Sequence, residues 1–143
     1  MTIASWQFWA ILSATFAALT AIFAKLGVGE VNPDFATLVR TVIIVPMLAA
    51  IVWTTGQWQA PTSASGRTMV FLVLSAVATG ASWLCYFRAL KLGDAARVAP
   101  LDKLSVVFVA VIGTFFLGER LSPLNWLGIA LIAGGVMLVA WRA

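Results

Sequence analysis

The chain has 143 residues, of which 62% are hydrophobic and 10% charged, and its mean hydropathy is +1.03. Soluble domains carry about 25% charged residues, so this composition excludes an ordinary soluble domain. The formal net charge is +4, but the cations lie near the ends of apolar runs, where they act as topology signals and do not indicate nucleic-acid binding. We predict an all-α integral membrane protein with one domain over residues 1–143 and no nucleic-acid partner.

The residue types present also restrict the chemistry. Histidine, the commonest metal ligand and general base, is absent. Cys85 is the single cysteine and has no intrachain partner for a disulfide. The sequence shows no nucleophile–base pair and no metal-ligating cluster. We therefore expect neither an enzyme nor a bound metal or other cofactor.

Five apolar runs fill most of the chain. A helix needs about 20 apolar residues to cross the hydrocarbon of a bilayer. The predicted transmembrane helices cover about residues 6–26, 35–54, 68–92, 100–117 and 124–141. Tryptophans at 6 and 9 mark the first membrane interface. The longest predicted loop runs from Thr55 to Gly66.

The second predicted helix carries a charge inside its apolar run. Arg40 lies about one turn from the predicted start, where an unpaired charge is costly. We expect Glu30, Asp34 or a lipid headgroup phosphate to pair with it. Further along, Pro46 is expected to kink the helix.

A polar stripe follows the third predicted helix. Ser75, Thr79, Ser82 and Tyr86 are separated by four, three and four residues, so their hydroxyls point to one side. Either they line a substrate path, or they bond to carbonyls of their own helix and let neighbouring helices approach. Trp83 has two readings as well: it fills space between helices, or it forms an aromatic wall of a substrate cavity.

A basic turn joins the third and fourth predicted helices. Two acids stand against four cations around residues 93–96, and the six charged residues are Arg88, Lys91, Asp94, Arg97, Asp102 and Lys103. Pro100 suits the first turn of the fourth helix. Lys103 and Thr114 begin and end a stripe with helical spacing, so we expect the Lys103 ammonium at one mouth of the groove between the two helices.

The distribution of cations predicts the orientation in the membrane. With five crossings, two cations, Arg67 and Arg120, lie on one side. The seven on the opposite side are Lys25, Arg40, Arg88, Lys91, Arg97, Lys103 and Arg142. Because cytoplasmic loops carry the excess of Lys and Arg, the N-terminus is predicted outside and the C-terminus in the cytoplasm.

Several short segments occur in a familiar order. They are Asn32-Pro33 with Arg40, the run Tyr-Phe-Arg-Ala-Leu-Lys at 86–91 leading through Pro100, Leu-Gly-Glu-Arg-Leu at 117–121, Trp-Leu-Gly at 126–128, and Gly-Gly-Val at 134–136. Together they resemble a single EamA domain of the drug/metabolite transporter superfamily, over essentially the whole chain.

The resemblance implies a five-helix repeat that larger relatives carry twice, in inverted orientation, with a substrate cavity between the halves. Those relatives export amino acids, metabolites or drugs, or carry nucleotide sugars. One repeat needs a second copy or a partner to form such a cavity. A homodimer and a heterodimer with an inverted partner are both open, although the charge bias argues against insertion in two orientations.

The resemblance also assigns roles to acidic residues. Glu119 matches the Leu-Gly-Glu turn of the family, where we expect it to cap the helix or pair with Arg120. Related small multidrug exporters use a glutamate in the first helix to exchange protons. The first predicted helix here has no acid, so that device is not expected.

The leading hypothesis is an exporter of a small polar or amphiphilic metabolite in the plasma (inner) membrane. The substrate-path candidates are Ser75, Thr79, Ser82, Trp83, Tyr86, Arg88, Lys103 and Thr114, with Arg88 or Lys103 at the cytoplasmic mouth. One alternative is a subunit of an undecaprenyl-phosphate-linked sugar flippase. The other is a membrane partner that transports nothing and stabilises a larger assembly.

Overall fold

The computed structural model describes residues 6–60 and 63–141, and all long regular elements in these ranges are helices. The helices are α1 (Trp6–Gly27), α2 (Pro33–Thr54), α3 (Gly66–Leu92), α4 (Ala95–Asp102), α5 (Ser105–Phe116) and α6 (Pro123–Ala140). With α4 and α5 taken as the stretch Ala95–Phe116, five segments are long and apolar enough to cross a membrane. The predicted all-α transmembrane class is confirmed.

The described residues fall into two compact units. One contains residues 6–25 and 92–141, where α6 packs against α4 and α5. The other contains residues 26–91 apart from 61–62, and so includes α2 and nearly all of α3. The candidate site residues are divided between these units.

Two helices begin with the same combination of cap and proline. The side-chain oxygen of Asn32 accepts a hydrogen bond from the Asp34 amide at 2.8 Å, and that of Ser122 accepts one from the Asn125 amide at 3.2 Å. Proline follows each cap, in a first helical turn whose amides have no partner within the helix. Because α2 begins at Pro33, before the predicted start, Arg40 lies about 10 Å along the helix, two turns inside it.

The predicted fourth helix, about 100–117, differs from the structure. Helix α4 begins earlier, at Ala95, so Pro100 lies inside it and not in its first turn. Proline lacks an amide donor and crowds the preceding helical turn. Beyond it the backbone bonds shorten to three-residue spacing, since the Lys103 and Leu104 amides donate to the carbonyls of residues 100 and 101 at 2.9 and 3.1 Å. This tight turn separates α4 from α5.

The end of α5 is closed by the Leu-Gly-Glu turn. The amides of Leu117 and Glu119 both donate to the Gly113 carbonyl at 3.1 Å. The reversal depends on Gly118, whose φ of 70° is a conformation that favours glycine. Of the two roles expected for Glu119, capping is the one that its backbone performs.

Most large apolar side chains point outwards. The exposed fraction is 83% for Phe116, 77% for Leu138 and 67% for Val77. An apolar surface of this extent is unfavourable in water and suits hydrocarbon. Exposure of this kind agrees with the assignment of the long helices as transmembrane segments.

Candidate functional site

The hydroxyl stripe is exposed on α3. The side chains of Ser75, Thr79 and Ser82 are exposed, while Tyr86 is half-buried. The Thr79 hydroxyl donates to the Ser75 carbonyl at 2.9 Å, which is the bond to its own helix that the alternative reading predicts. This bond engages the Thr79 hydroxyl with its own helix and does not show whether a substrate contacts the stripe. The role of the stripe as a substrate path therefore stays a prediction.

Arg88 pairs with the first turn of α2. Its Nε donates to Asp34 Oδ1 at 2.9 Å and its Nη2 donates to Oδ2 at 2.8 Å. This bidentate arrangement satisfies both carboxylate oxygens and joins the end of α3 to the start of α2. Arg88 therefore has a structural role between α2 and α3. Its predicted role at the mouth of a substrate path stays a prediction.

Arg40 has aromatic neighbours instead of the expected acid. Its guanidinium carbon lies 4.5 Å from the centre of the Trp83 ring and 5.6 Å from that of Phe87. Of the three expected partners, Asp34 pairs with Arg88 instead, and neither Asp34 nor Glu30 forms an ion pair with Arg40 among residues 6–60 and 63–141. The pairing of Arg40 with a lipid headgroup phosphate stays a prediction. Trp83 and Phe87 are four residues apart on α3, so one face of the helix presents both rings to the cation.

The energies explain why this contact stabilises the charge. On the insertion scale an arginine at the centre of a spanning helix costs about 2.5 to 3.5 kcal/mol. A cation–π contact that is shielded from water contributes about 2 kcal/mol. Phe87 is only 3% exposed, and Arg40 and Trp83 are partly buried, so this contact is partly shielded. The two rings offset much of the cost of placing Arg40 inside α2.

Lys91 binds the turn that precedes α2. Its ammonium donates to the carbonyls of Val28 at 3.0 Å and Val31 at 3.3 Å, and also to that of Gly29. Val28 and Leu90 are almost fully buried at this end of the unit. The predicted basic cluster thus includes one cation whose donors are committed to backbone carbonyls.

The other unit holds the remaining candidates, Lys103 and Thr114. The Lys103 ammonium pairs with Asp102 at 3.2 Å, and both side chains are substantially exposed. The Thr114 hydroxyl oxygen is buried and has no hydrogen-bond partner among residues 6–60 and 63–141. Lys25 in α1 donates to the Gly93 carbonyl at 2.8 Å. The placement of Lys103 at a groove mouth stays a prediction.

Sequence reasoning did not include Arg40 or Asp34 among the site residues. A signal for Arg40 was present, since it is the one charged residue between Phe35 and Thr54. No sequence pattern indicated that Asp34 would pair with Arg88. It depends on how α2 and α3 pack, and the sequence spacing between residues 34 and 88 does not reveal that.

The known proteins that this chain resembles are transporters. The model of the EamA-like transporter family matches residues 4–141. A Sinorhizobium protein called "uncharacterized transporter in cobO 3'region" is 68% identical over 136 residues, which are 95% of this chain and 96% of that protein. The uncharacterized transporter YwfM of Bacillus subtilis is 31% identical over 70% of this chain, and the match spans 35% of YwfM.

A more distant relative has a more specific name. A Yersinia pestis protein called "probable 4-amino-4-deoxy-L-arabinose-phosphoundecaprenol flippase subunit ArnE" is 27% identical over 86 residues, which are 59% of this chain and 75% of that protein. No solved structure matches the chain. The family match extends over nearly the whole chain and agrees with the five apolar segments. The chain therefore belongs to the EamA-like transporter family and is a multi-pass membrane transporter of the drug/metabolite transporter superfamily.

Proposed function

We propose that the chain exports a small polar or amphiphilic metabolite across the plasma (inner) membrane, as one subunit of an oligomer. The observation that carries this proposal is the exposed hydroxyl stripe of Ser75, Thr79 and Ser82 on α3. The rest of the α3 surface between residues 69 and 77 is apolar, with Val77 67% exposed. Polar groups at membrane depth face protein or a water-filled cavity in preference to lipid.

The substrate path runs along this stripe. Trp83 and Tyr86 provide an aromatic wall at its end, near the basic turn. The sequence pattern predicts Lys103 at the cytoplasmic mouth and adds Thr114 as a further candidate, whose hydroxyl has no hydrogen-bond partner among residues 6–60 and 63–141. Arg88 holds α3 against α2 through Asp34 and supports the path from that position. A positive mouth favours anionic or zwitterionic substrates.

The path needs a second subunit. One chain supplies one five-helix repeat, and transporters of the inverted-repeat type bind substrate between two repeats. The bias of seven cations against two favours one orientation in the membrane, with the C-terminus in the cytoplasm. Under that bias the second subunit is an inverted partner of different sequence or a parallel copy of the same chain.

A second candidate function is a subunit of a flippase for a sugar linked to undecaprenyl phosphate. The observation in its favour is the match to the Yersinia protein named as such a subunit, which covers 75% of that protein. The identity of 27% makes this support weak. Binding of a long polyprenyl phosphate, in place of a soluble metabolite, separates the two candidates.

Metabolite export can be measured without knowing the substrate. Cells that overproduce the wild-type chain, Trp83→Ala or Lys103→Gln are compared by mass spectrometry of the culture medium. We expect at least one metabolite to accumulate outside cells with the wild type and to fall about tenfold with either variant at equal protein level, as a contact worth about 1.4 kcal/mol predicts.

Trp58→Ala is the matched control for the tryptophan, because Trp58 is 64% exposed and lies in the loop after α2. It should leave the accumulation unchanged. Equal accumulation in all variants would reject the assigned path. A medium that is the same with and without the protein would favour the reading in which the chain supports a larger assembly and transports nothing soluble.

A further inference from the structure

Arg40 and Arg88 lie in the same unit, and their charges have different surroundings. Arg88 has a bidentate carboxylate partner in Asp34. Arg40 lies over the rings of Trp83 and Phe87, with its guanidinium carbon 4.5 and 5.6 Å from their centres. Within the part of the chain that the structure describes, Arg40 makes no hydrogen bond to a carboxylate. Its charge is stabilised there but is not neutralised.

Aromatic rings leave the donors of a guanidinium without a strong acceptor. A guanidinium has five N–H donors in a plane, while a ring offers only its π-face. In a partly buried position an opposite charge is worth far more than in water. Arg40 is partly buried and lies about 10 Å inside α2, so the site favours a ligand that brings an oxyanion.

The rings also set the position of the guanidinium. Phe87 is 3% exposed and therefore held by its surroundings, and Trp83 lies one helical turn before it on α3. A cation held over two rings on one helix face pays less ordering entropy when an anion arrives, which favours binding. The Thr37 hydroxyl, one turn before Arg40 on α2, is already bonded to the Pro33 carbonyl at 2.9 Å. That hydroxyl is therefore already engaged by its own helix.

We propose that Arg40, held by Trp83 and Phe87, is the binding site for a carboxylate or phosphate group of the transported molecule. This inference rests on the proposed function and narrows its substrates to those with an oxyanion. Two sources supply that chemistry, a soluble anion and the phosphate of a lipid or lipid-linked substrate. In both cases the group that binds the oxyanion is the Arg40 guanidinium.

The test observes the Arg40 side chain directly. The full chain is labelled with ¹⁵N-arginine and placed in phosphatidylcholine nanodiscs, and the Nε–H resonances are followed by NMR. The Arg40 signal is identified by its loss in Arg40→Gln and, should that variant fold poorly, in Arg40→Lys, which keeps the charge. Inorganic phosphate and acetate are then titrated in, and separate nanodiscs contain phosphatidylglycerol.

We expect a saturable shift of the Arg40 resonance. Arg67 is the matched control, because it also lies over a ring, that of Phe71 at 5.9 Å, but in the first turn of α3. A shift with phosphate or acetate identifies a soluble anion as the ligand, and a shift only with phosphatidylglycerol identifies the phosphate of a lipid with net negative charge, since phosphatidylcholine is present in every sample. No saturable shift with any of the three, or an equal shift at Arg67, would overturn the proposal. The readout is binding, so its failure leaves the metabolite-export result intact.

Discussion

Arg88 shows how a single residue that looks like a substrate ligand in the sequence is engaged by the fold. Its two donors meet both oxygens of Asp34, and that acid lies in the first turn of α2, where the helix dipole stabilises a negative charge. Both side chains remain about half exposed, so water and salt screen the pair. The pair therefore serves mainly to set the register of α2 against α3.

A double-mutant cycle measures this coupling. We expect Asp34→Asn and Arg88→Gln each to lower the midpoint of unfolding by sodium dodecyl sulfate in mixed micelles. The double variant should be no less stable than the worse single variant, because the second change removes a partner already lost. The coupling should shrink as sodium chloride is raised. Strictly additive losses would show that the two side chains do not act as a pair in the membrane.

At the residue scale, sequence reasoning recovered the identity of unusual side chains better than their partners. Arg40 was recognised as a charge inside an apolar run, and Trp83 as a tryptophan away from an interface. Their contact was not foreseen, because it requires α2 and α3 to be placed side by side with residues 40 and 83 at the same height. That placement depends on the Asp34–Arg88 pair and on Lys91, and both are long-range contacts.

At the scale of single helices, the length of the apolar runs and the residues at helix ends predicted most of the transmembrane helices. The runs of about 20 apolar residues gave the crossings, and Asn32-Pro33 and Ser122-Pro123 mark the observed starts of α2 and α6. The predicted start of the fourth helix at residue 100 is wrong, because Pro100, a residue typical of a first helical turn, lies inside α4. Residues 95–99 are good helix formers, and they extend the helix back to Ala95.

Alanine substitution at two glycines, one in the turn after α5 and one inside α6, should change the free energy of unfolding in opposite directions. Gly118 has a φ of 70°, so Gly118→Ala should lower the free energy of unfolding by about 1 to 2 kcal/mol. Gly128 lies inside α6, and a Cβ there meets no described atom within 4 Å apart from its chain neighbours and its own helix backbone. Gly128→Ala should therefore raise stability by about 0.5 to 1 kcal/mol.

Both variants are read by the same unfolding measurement in mixed micelles. The pair controls for the added methyl group, because at neither glycine does the added Cβ meet a described atom within 4 Å beyond the local backbone, whereas a positive φ is found at Gly118 and not at Gly128. Equal effects of the same sign would contradict the positive φ as the reason for glycine at residue 118.

For the whole molecule, the distribution of charge makes a prediction about topology. Paired reporters fused after Ala143, one active only in the cytoplasm and one only outside, should give signal from the cytoplasmic reporter alone. The reason is that seven cations lie on one predicted side of the membrane and two on the other. Comparable signals from both reporters would show insertion in two orientations, and an antiparallel homodimer would then replace an inverted partner of different sequence.

The proposed path can be tested at the same scale by access to water. Cys85 is the single cysteine and is replaced by alanine, so that one cysteine at a time can be introduced into α3. Ser82→Cys places a thiol on the hydroxyl stripe. Val77→Cys places one on the same helix at about 140 to 180° from the stripe, on a surface that is 67% exposed.

Labelling of these two thiols by a membrane-impermeant maleimide, in intact cells and in inverted membranes, tests the account most directly. If the α3 stripe lines a substrate path, the thiol at residue 82 reacts from at least one side of the membrane, at least about tenfold faster than the thiol at 77, which faces lipid. Equal, background-level labelling at both positions would mean that the stripe packs against protein or lipid, and the path along α3 would be wrong.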